Sequence, residues 1–357
     1  MRKNYLDNIR WVTVVQVVIF HLIMVFSPLT PGFGFPFREV QYQDAFAYLV
    51  YPWFMTILFI VAGISSRIYL DKHTIKEFVI SRTRKLLLPV TIGLACFGWM
   101  QGALTLQIAG YLEPITESTP IIPYYLYVTI CGIGVLWFVI LLWSLSMILA
   151  VIRRFEKGKL YALTANMHIA IIVLLGVVAW FIGQYFNVTK YPVYRLGLYP
   201  FVFFLGYFVF AHEENIKTIS KWKYVFIAGA VVLGARYVYE HFGHLYSTMP
   251  VMGCKSAMFY GWIMILAIFG SFYSWLNKPN AFCDYMRKRS WGLYIFHYVI
   301  ISACALVIRK HTAMTEIPCY LVTGGAAFAG SLLLNYIVSR IPFMRWCILG
   351  IKKEKVA

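Results

Sequence analysis

Charge is scarce in this chain. Of 357 residues only 13% are Asp, Glu, Lys or Arg, and 14 of these are acidic. Soluble domains carry about 25% charged residues, so a water-soluble globule of this size is excluded. A disordered chain is excluded too, because disorder goes with low hydrophobicity. Cysteine offers no framework: Cys96, Cys131, Cys254, Cys283, Cys304, Cys319 and Cys347 form no Cys-x-x-Cys, and most lie in apolar runs as packing residues. No repeat of roughly 20–50 residues, low-complexity tract or soluble domain is visible. His-Glu-x-x-His, Gly-x-Ser-x-Gly and phosphate-loop patterns are all missing, which leaves metal and triad chemistry without support. What is plentiful is apolar: 61% hydrophobic and 18% aromatic residues.

A bilayer core takes roughly 20 apolar residues per helix. Ten runs meet that need: 11–28, 46–66, 88–109, 134–152, 167–186, 193–211, 222–240, 253–276, 291–309 and 317–338. The first has no small-residue cleavage site and leads into Pro28-Leu29-Thr30-Pro31-Gly32, so it reads as a retained span. The net charge of +18 is distributed between these runs. Arg2, Lys3 and Arg10 begin one side, and the segments 67–87, 153–166, 212–223, 277–290 and 339–357 on that side are rich in Lys and Arg. The opposite loops hold only Arg38, Lys190, Arg309 and Lys310. By the positive-inside rule the rich side is cytoplasmic. The basic balance therefore points to the lipid bilayer, with no nucleic-acid partner. The expected fold is all-α: a polytopic membrane protein of about ten transmembrane helices, both termini cytoplasmic, one transmembrane domain over 1–357. Residues 119–133, broken by Pro120 and Pro123, read as interfacial or re-entrant, and Pro52 and Pro200 predict kinks.

Ionisable groups at membrane depth are costly and commonly functional. His21 lies about ten residues into the first span. Arg10 precedes it by eleven residues, which places both on one helix face about 16 Å apart. Each also has a plainer reading, His21 as a neutral core histidine and Arg10 as an anchor paired with Asp7. Arg82-Thr83-Arg84-Lys85 precedes Pro89, which suits the first turn of a helix and its anion-favouring end. These cations fit phosphates, or else a lipid headgroup. Toward the outside lie Arg195, Arg236, Glu240 and Lys255, with Arg236 and Glu240 spaced to pair; as an alternative, these groups are simply hydrated. His297 lies about a third of the way into the ninth span.

Taken together, these segments resemble acyltransferase family 3, multi-pass membrane acyltransferases. Tyr5-Leu6-Asp7-Asn8-Ile9-Arg10 with His21 matches its Arg-x10-His opening. Arg82-x-x-Lys85-Leu-Leu-Leu-Pro89 resembles its Arg-x-x-Arg-Leu-Leu-x-Pro, and Leu136-Trp137-Phe138 its Leu-Trp-Phe. Phe204-Leu205-Gly206-Tyr207, Tyr294-Ile295-Phe296-His297, and Arg345-Trp346 with Gly350-Ile351-Lys352 follow in order, the last in the manner of the glucan-modifying branch. The chain departs from the pattern at Lys85, at Ala62-Gly63 where a Ser-Gly is usual, and at Val135 where many relatives have His.

The resemblance implies an O-acyltransferase of a bacterial cytoplasmic membrane, in the first instance an O-acetyltransferase. Its donor is acetyl-CoA or another acyl-CoA, used from the cytoplasm without a metal. Its acceptor is a hydroxyl of a glycan, a lipid-linked sugar or a small molecule. His21 is the expected general base; Arg10, Arg82, Arg84 and Lys85 are the expected donor contacts. Arg195, Arg236, Glu240, Lys255, His297 and Trp137 are the expected acceptor contacts. Direct transfer is expected, because no Ser or Cys has a recognisable activating partner in the sequence. The residues alone leave open a secondary transporter of an organic anion or acylated compound, with the buried cations as its substrate site.

Overall fold

The computed structural model describes residues 3–30, 34–188 and 194–351. Arg2, Pro31-Gly32, Lys190, Val193 and Lys352, all used in the sequence reading, lie outside the described residues. The described chain is all-α. Its main helices are α1 (Asn4–Phe26), α2 (Asp44–Val50), α3 (Phe54–Leu70), α4 (Ile75–Ile108), α5 (Ile121–Cys131), α6 (Gly134–Phe155) and α7 (Ile169–Phe186). They are followed by α8 (Leu198–Phe210), α9 (Lys223–His241), α10 (Lys255–Trp275), α11 (Ala281–His311), α12 (Glu316–Arg340) and α13 (Pro342–Cys347).

Eight segments are long and apolar enough to cross a membrane: α1, α2 with α3, α4, α6, α7, α10, α11 and α12. The chain is a polytopic membrane protein. Two of the ten expected spans are helical but do not reach that mark. The helix α8, in the place of 193–211, is a shorter apolar helix. In the place of 222–240, α9 carries Lys223, Arg236, Glu240 and His241, which dilute its apolar content. The stretch expected to be interfacial or re-entrant forms α5, whose 11 residues are too few to span.

Hydrocarbon offers no hydrogen bonds, so every irregularity in a span must be repaired from within the protein. The kink expected at Pro52 is a full break: α2 ends at Val50 and α3 begins at Phe54. At Pro200 the expectation fails. Pro200 sits in the first turn of α8, where its missing N–H has no helical partner to lose. The irregularity of α8 comes instead at Gly206–Phe210, a π-helical turn. Pro89 is also placed differently, inside the continuous α4 rather than at a helix start. In a regular α-helix its ring would clash with the carbonyl of Lys85. Two π-helical turns, Thr83–Leu87 and Pro89–Gly93, widen the helix at this point.

The chain divides into two compact units. One comprises the described residues of Met1–Gln16, Ala45–Phe78 and Leu145–Arg287. Within it α3 crosses α8 at two glycines. A Cβ on Gly63 would overlap the main chain of Phe203 and Tyr207, and one on Gly206 would overlap Ile60. Close backbone approach is the usual basis of helix association in lipid, where no hydrophobic force drives helices together. In the same unit, Gly176 of α7 leaves room for the Trp262 indole of α10, whose Nε1–H donates to the Ile172 carbonyl at 3.1 Å. The other unit comprises the described residues of Val17–Asp44, Val79–Ser144 and Lys288–Ala357. Here α5 lies on α4 through Gly98, Gly102 and Gly132, each in contact with the opposing backbone.

These crossings make a prediction. Gly206→Ala overpacks a backbone contact and should destabilise the detergent-solubilised protein by about 2 kcal/mol. Gly325→Ala, where a Cβ meets nothing within 4 Å, should leave thermal unfolding unchanged or raise its midpoint slightly.

Candidate active site

The unit that includes Val17–Asp44 and Lys288–Ala357 brings together two histidines that are 276 residues apart in sequence. His21 projects from α1 and is half-buried; His297 projects from α11 and has no exposed surface. His297 Nε2 lies 3.2 Å from His21 Nδ1, with ring centroids 5.1 Å apart. Each Nδ1 also faces a carbonyl one turn back in its own helix: His21 faces Val17 O at 2.8 Å, and His297 faces Leu293 O at 3.1 Å.

A carbonyl can only accept, so these contacts set the tautomers of the neutral rings. Both Nδ1 atoms carry hydrogen. His297 Nε2 is then a lone pair that shares the His21 Nδ1–H with Val17 O. His21 Nε2 is left as the second lone pair of the pair of rings. When it takes a proton, the Nδ1–H already points at two acceptors, so the positive ring is stabilised without rearrangement.

Packing keeps this arrangement in register. The Tyr298 ring centroid lies 5.1 Å from that of His21. One turn below His297, the Tyr294 hydroxyl donates to the Val135 carbonyl, at the start of α6. Val135, one of the departures noted in the sequence, is thus held here by its main chain. Trp137 follows in α6, half-buried, with its ring 6.3 Å from that of Phe138.

Arg10 lies on α1 within the other unit. Its Nη1 donates to Asp7 Oδ1 at 3.1 Å and its Nη2 to Ser65 Oγ at 2.9 Å. The pairing with Asp7 is therefore real, and Ser65 is a partner that the sequence reading missed. Sequence alone does not reveal which face of α3 meets α1. Of the basic run, Arg82 and Arg84 are half-buried and Lys85 is exposed. Thr83 Oγ1 accepts from Trp143 Nε1 at 3.2 Å. Because Pro89 is internal to α4, it opens no helix N-terminus beside these cations. Arg84 Nε is buried without a hydrogen-bond partner. Gly350, at φ 64°, lets the segment after α13 close onto this turn, where a Cβ would stand 2.7 Å from Arg84 O.

The residues expected on the outer side separate into two settings. Arg195 is 1% exposed, and its Nη1 and Nη2 donate to the carbonyls of Pro52 and Tyr51 at 3.4 and 3.5 Å. These carbonyls lie in the break between α2 and α3, and the guanidinium satisfies them. Arg236, with its side chain 69% exposed, donates through Nε to Glu240 Oε1 at 2.6 Å. Lys255 is exposed, its Nζ 5.3 Å from the centre of the Trp180 ring.

The structure also pairs two residues that the sequence did not connect. His241 Nε2, at the end of α9, lies 3.3 Å from the Sγ of Cys254, the N-cap of α10; Ser256 Oγ is 3.2 Å from the same sulfur. The sequence offered no recognisable activating partner for any Ser or Cys; the structure sets a histidine beside Cys254. A cysteine at an N-cap was the available signal. Among the described residues no group of His, Cys, Asp and Glu is arranged to hold a metal ion.

The fold is that of a polytopic membrane protein with two contacting histidines among its helices. A family model described as an acyltransferase domain matches residues 3–336, and the chain belongs to acyltransferase family 3. It is therefore an acyltransferase, acting between an acyl donor and an acceptor. No curated protein and no solved structure matches the chain.

Arg195→Ala should strand the Tyr51 carbonyl and leave the Pro52 carbonyl only its 3.5 Å bond from Thr56 Oγ1, lowering stability by about 2 kcal/mol, read as thermal unfolding in detergent. Arg236→Ala, which removes only an exposed ion pair, should change it by less than about 0.5 kcal/mol.

Proposed function

We propose that this acyltransferase is an O-acyltransferase, in the first instance an O-acetyltransferase, of a bacterial cytoplasmic membrane. Its ten helical segments span with both termini cytoplasmic; α8 and α9 complete the count. The donor is cytoplasmic acetyl-CoA or another acyl-CoA, and the acceptor is a hydroxyl on a glycan, a lipid-linked sugar or a small molecule. The observation that supports this most is the polarity of the histidine pair, which leaves His21 Nε2 as an available base.

In the step that follows, His21 Nε2 takes the proton of the acceptor O–H as its oxygen attacks the thioester carbonyl. The C–O bond forms, the C–S bond breaks, and the CoA thiolate leaves with the proton returned by the His21 imidazolium. No covalent enzyme intermediate is required. His297 does not touch substrate in this scheme; it is a positioning residue that accepts the His21 Nδ1–H. Arg82, Arg84 and Lys85 hold the CoA phosphates as side-chain cations, without the helix end that the sequence suggested. Arg10, about 16 Å before His21 on the same helix, is a further donor contact along the pantetheine arm. Arg236, Glu240 and Lys255 are the polar contacts left for the acceptor on the outer side, with Trp137 as an apolar one. Arg195 is withdrawn from that set because both Nη groups are engaged by the main chain.

His21→Ala should lower acetyl transfer by at least about a thousandfold while CoA binding persists. Retained turnover would overturn the assignment. His297→Ala should lower kcat by about 10–100-fold, with partial recovery in His297→Gln. With acetyl-CoA in hundredfold excess over Kd, binding should stabilise the wild type by about 2.7 kcal/mol. That gain should vanish when Arg82, Arg84 and Lys85 are all Ala.

A further inference from the structure

The unit that does not hold the histidine pair has a cluster of chemically active side chains of its own, where the end of α9 meets the start of α10. Cys254 caps α10, a helix of 21 residues. It is half-buried and forms no disulfide. His241, the last residue of α9, brings Nε2 to 3.3 Å from the sulfur, with its own side chain 21% exposed. Ser256 Oγ lies 3.2 Å from the sulfur and 3.4 Å from the same His241 nitrogen. The Ala257 backbone N–H donates to the sulfur at 3.4 Å.

The neighbours of the sulfur serve both of its protonation states. As a thiol it donates to the Val251 carbonyl at 3.0 Å. Once that proton passes to His241 Nε2, three donors converge on the sulfur: the imidazolium N–H, the Ser256 hydroxyl and the Ala257 N–H. The positive end of the α10 dipole acts in the same sense. The charges around His241 suit an imidazolium. Glu240 Oε2 is 4.0 Å from its Nε2, and Arg236 Nε holds the other carboxylate oxygen at 2.6 Å. Lys255 Nζ lies over the Trp180 ring of α7, 5.3 Å from its centre, and the Tyr237 ring is 5.2 Å from that of His241. A cysteine beside a histidine at a helix N-terminus is a setting in which protein thiols become nucleophilic.

We propose that Cys254 and His241 form a nucleophilic thiolate–imidazolium pair, and that Cys254 is a site of S-thiolation by low-molecular-weight disulfides. The Cys254 proton passes to His241 Nε2, and the thiolate attacks one sulfur of a disulfide R–S–S–R. A Cys254 S–S bond forms, the R–S–S–R bond breaks, and the departing thiolate takes the proton from the imidazolium. The disulfide supplies the oxidation: one R–S is bound to Cys254 and the other leaves as the thiol. Exposed Lys255 beside the sulfur favours an anionic disulfide arriving from water. The topology proposed above puts the junction of α9 and α10 on the outer side, where disulfides persist. The compartment rests on that reading; the exchange itself does not.

The test uses the full-length protein in detergent, freed of reductant, with glutathione disulfide as the probe. Free thiols are quenched with an alkylating agent at timed intervals, and adducts are mapped by peptide mass spectrometry. Cys283, likewise half-buried and in the first turn of a long helix, is the internal reference. At about pH 7, Cys254 should be thiolated at least about tenfold faster than Cys283. His241→Gln should slow Cys254 about tenfold at that pH, yet match the wild type at about pH 9.5, where a thiol ionises unaided. His21→Ala should be thiolated like the wild type, so a failure of the acyl-transfer reading and a failure of this one are separate results. A rate at Cys254 no greater than at Cys283, or one that His241→Gln leaves unchanged at about pH 7, would overturn the proposal. So would a loss in His241→Gln that persists at about pH 9.5, which would leave His241 a packing role only. Acetylation of Cys254 by acetyl-CoA without reaction with glutathione disulfide would overturn it as well, by making the thiol an acyl carrier.

Discussion

A polar group inside hydrocarbon has no water to fall back on, and the irregular parts of this protein are organised by that constraint. Pro52 breaks a span, and the carbonyls it exposes are taken up by the buried guanidinium of Arg195. Pro89 falls within α4, and two π-helical turns accommodate it. The start of α6 is joined to α11 by a hydroxyl, that of Tyr294, on the Val135 carbonyl. Each repair also holds a segment in place, so the placement of functional side chains follows from satisfying the backbone.

The histidine pair is the same principle turned toward chemistry. Two contacting imidazoles without a carboxylate between them would be poor partners if their tautomers were free. The carbonyls of Val17 and Leu293 remove that freedom, since each demands a hydrogen on Nδ1. The result is directional: His297 accepts, His21 donates inward, and the remaining lone pair is on His21 Nε2. In the proposed reaction that lone pair is the base.

Much of this protein is legible in its composition and spacing. Apolar runs the width of a bilayer gave most of the spans, and the eleven-residue step from Arg10 to His21 put them on one face of α1. Pro52 announced its break. These are local properties, decided by helix geometry and by the solvent the chain must match. Pro89 and Pro200 were misplaced because a proline at a helix start and a proline absorbed by a π turn, or by a first turn, look alike in sequence. The contacts between distant segments were not legible at all: His297 on His21, His241 on Cys254, Ser65 on Arg10, and Arg195 on the Tyr51–Pro52 carbonyls. Sequence determined which residues lie at membrane depth and which turn of helix each occupies. Only the tertiary structure decided which faces meet, because glycine crossings and backbone repair, rather than any pattern in one helix, set those contacts.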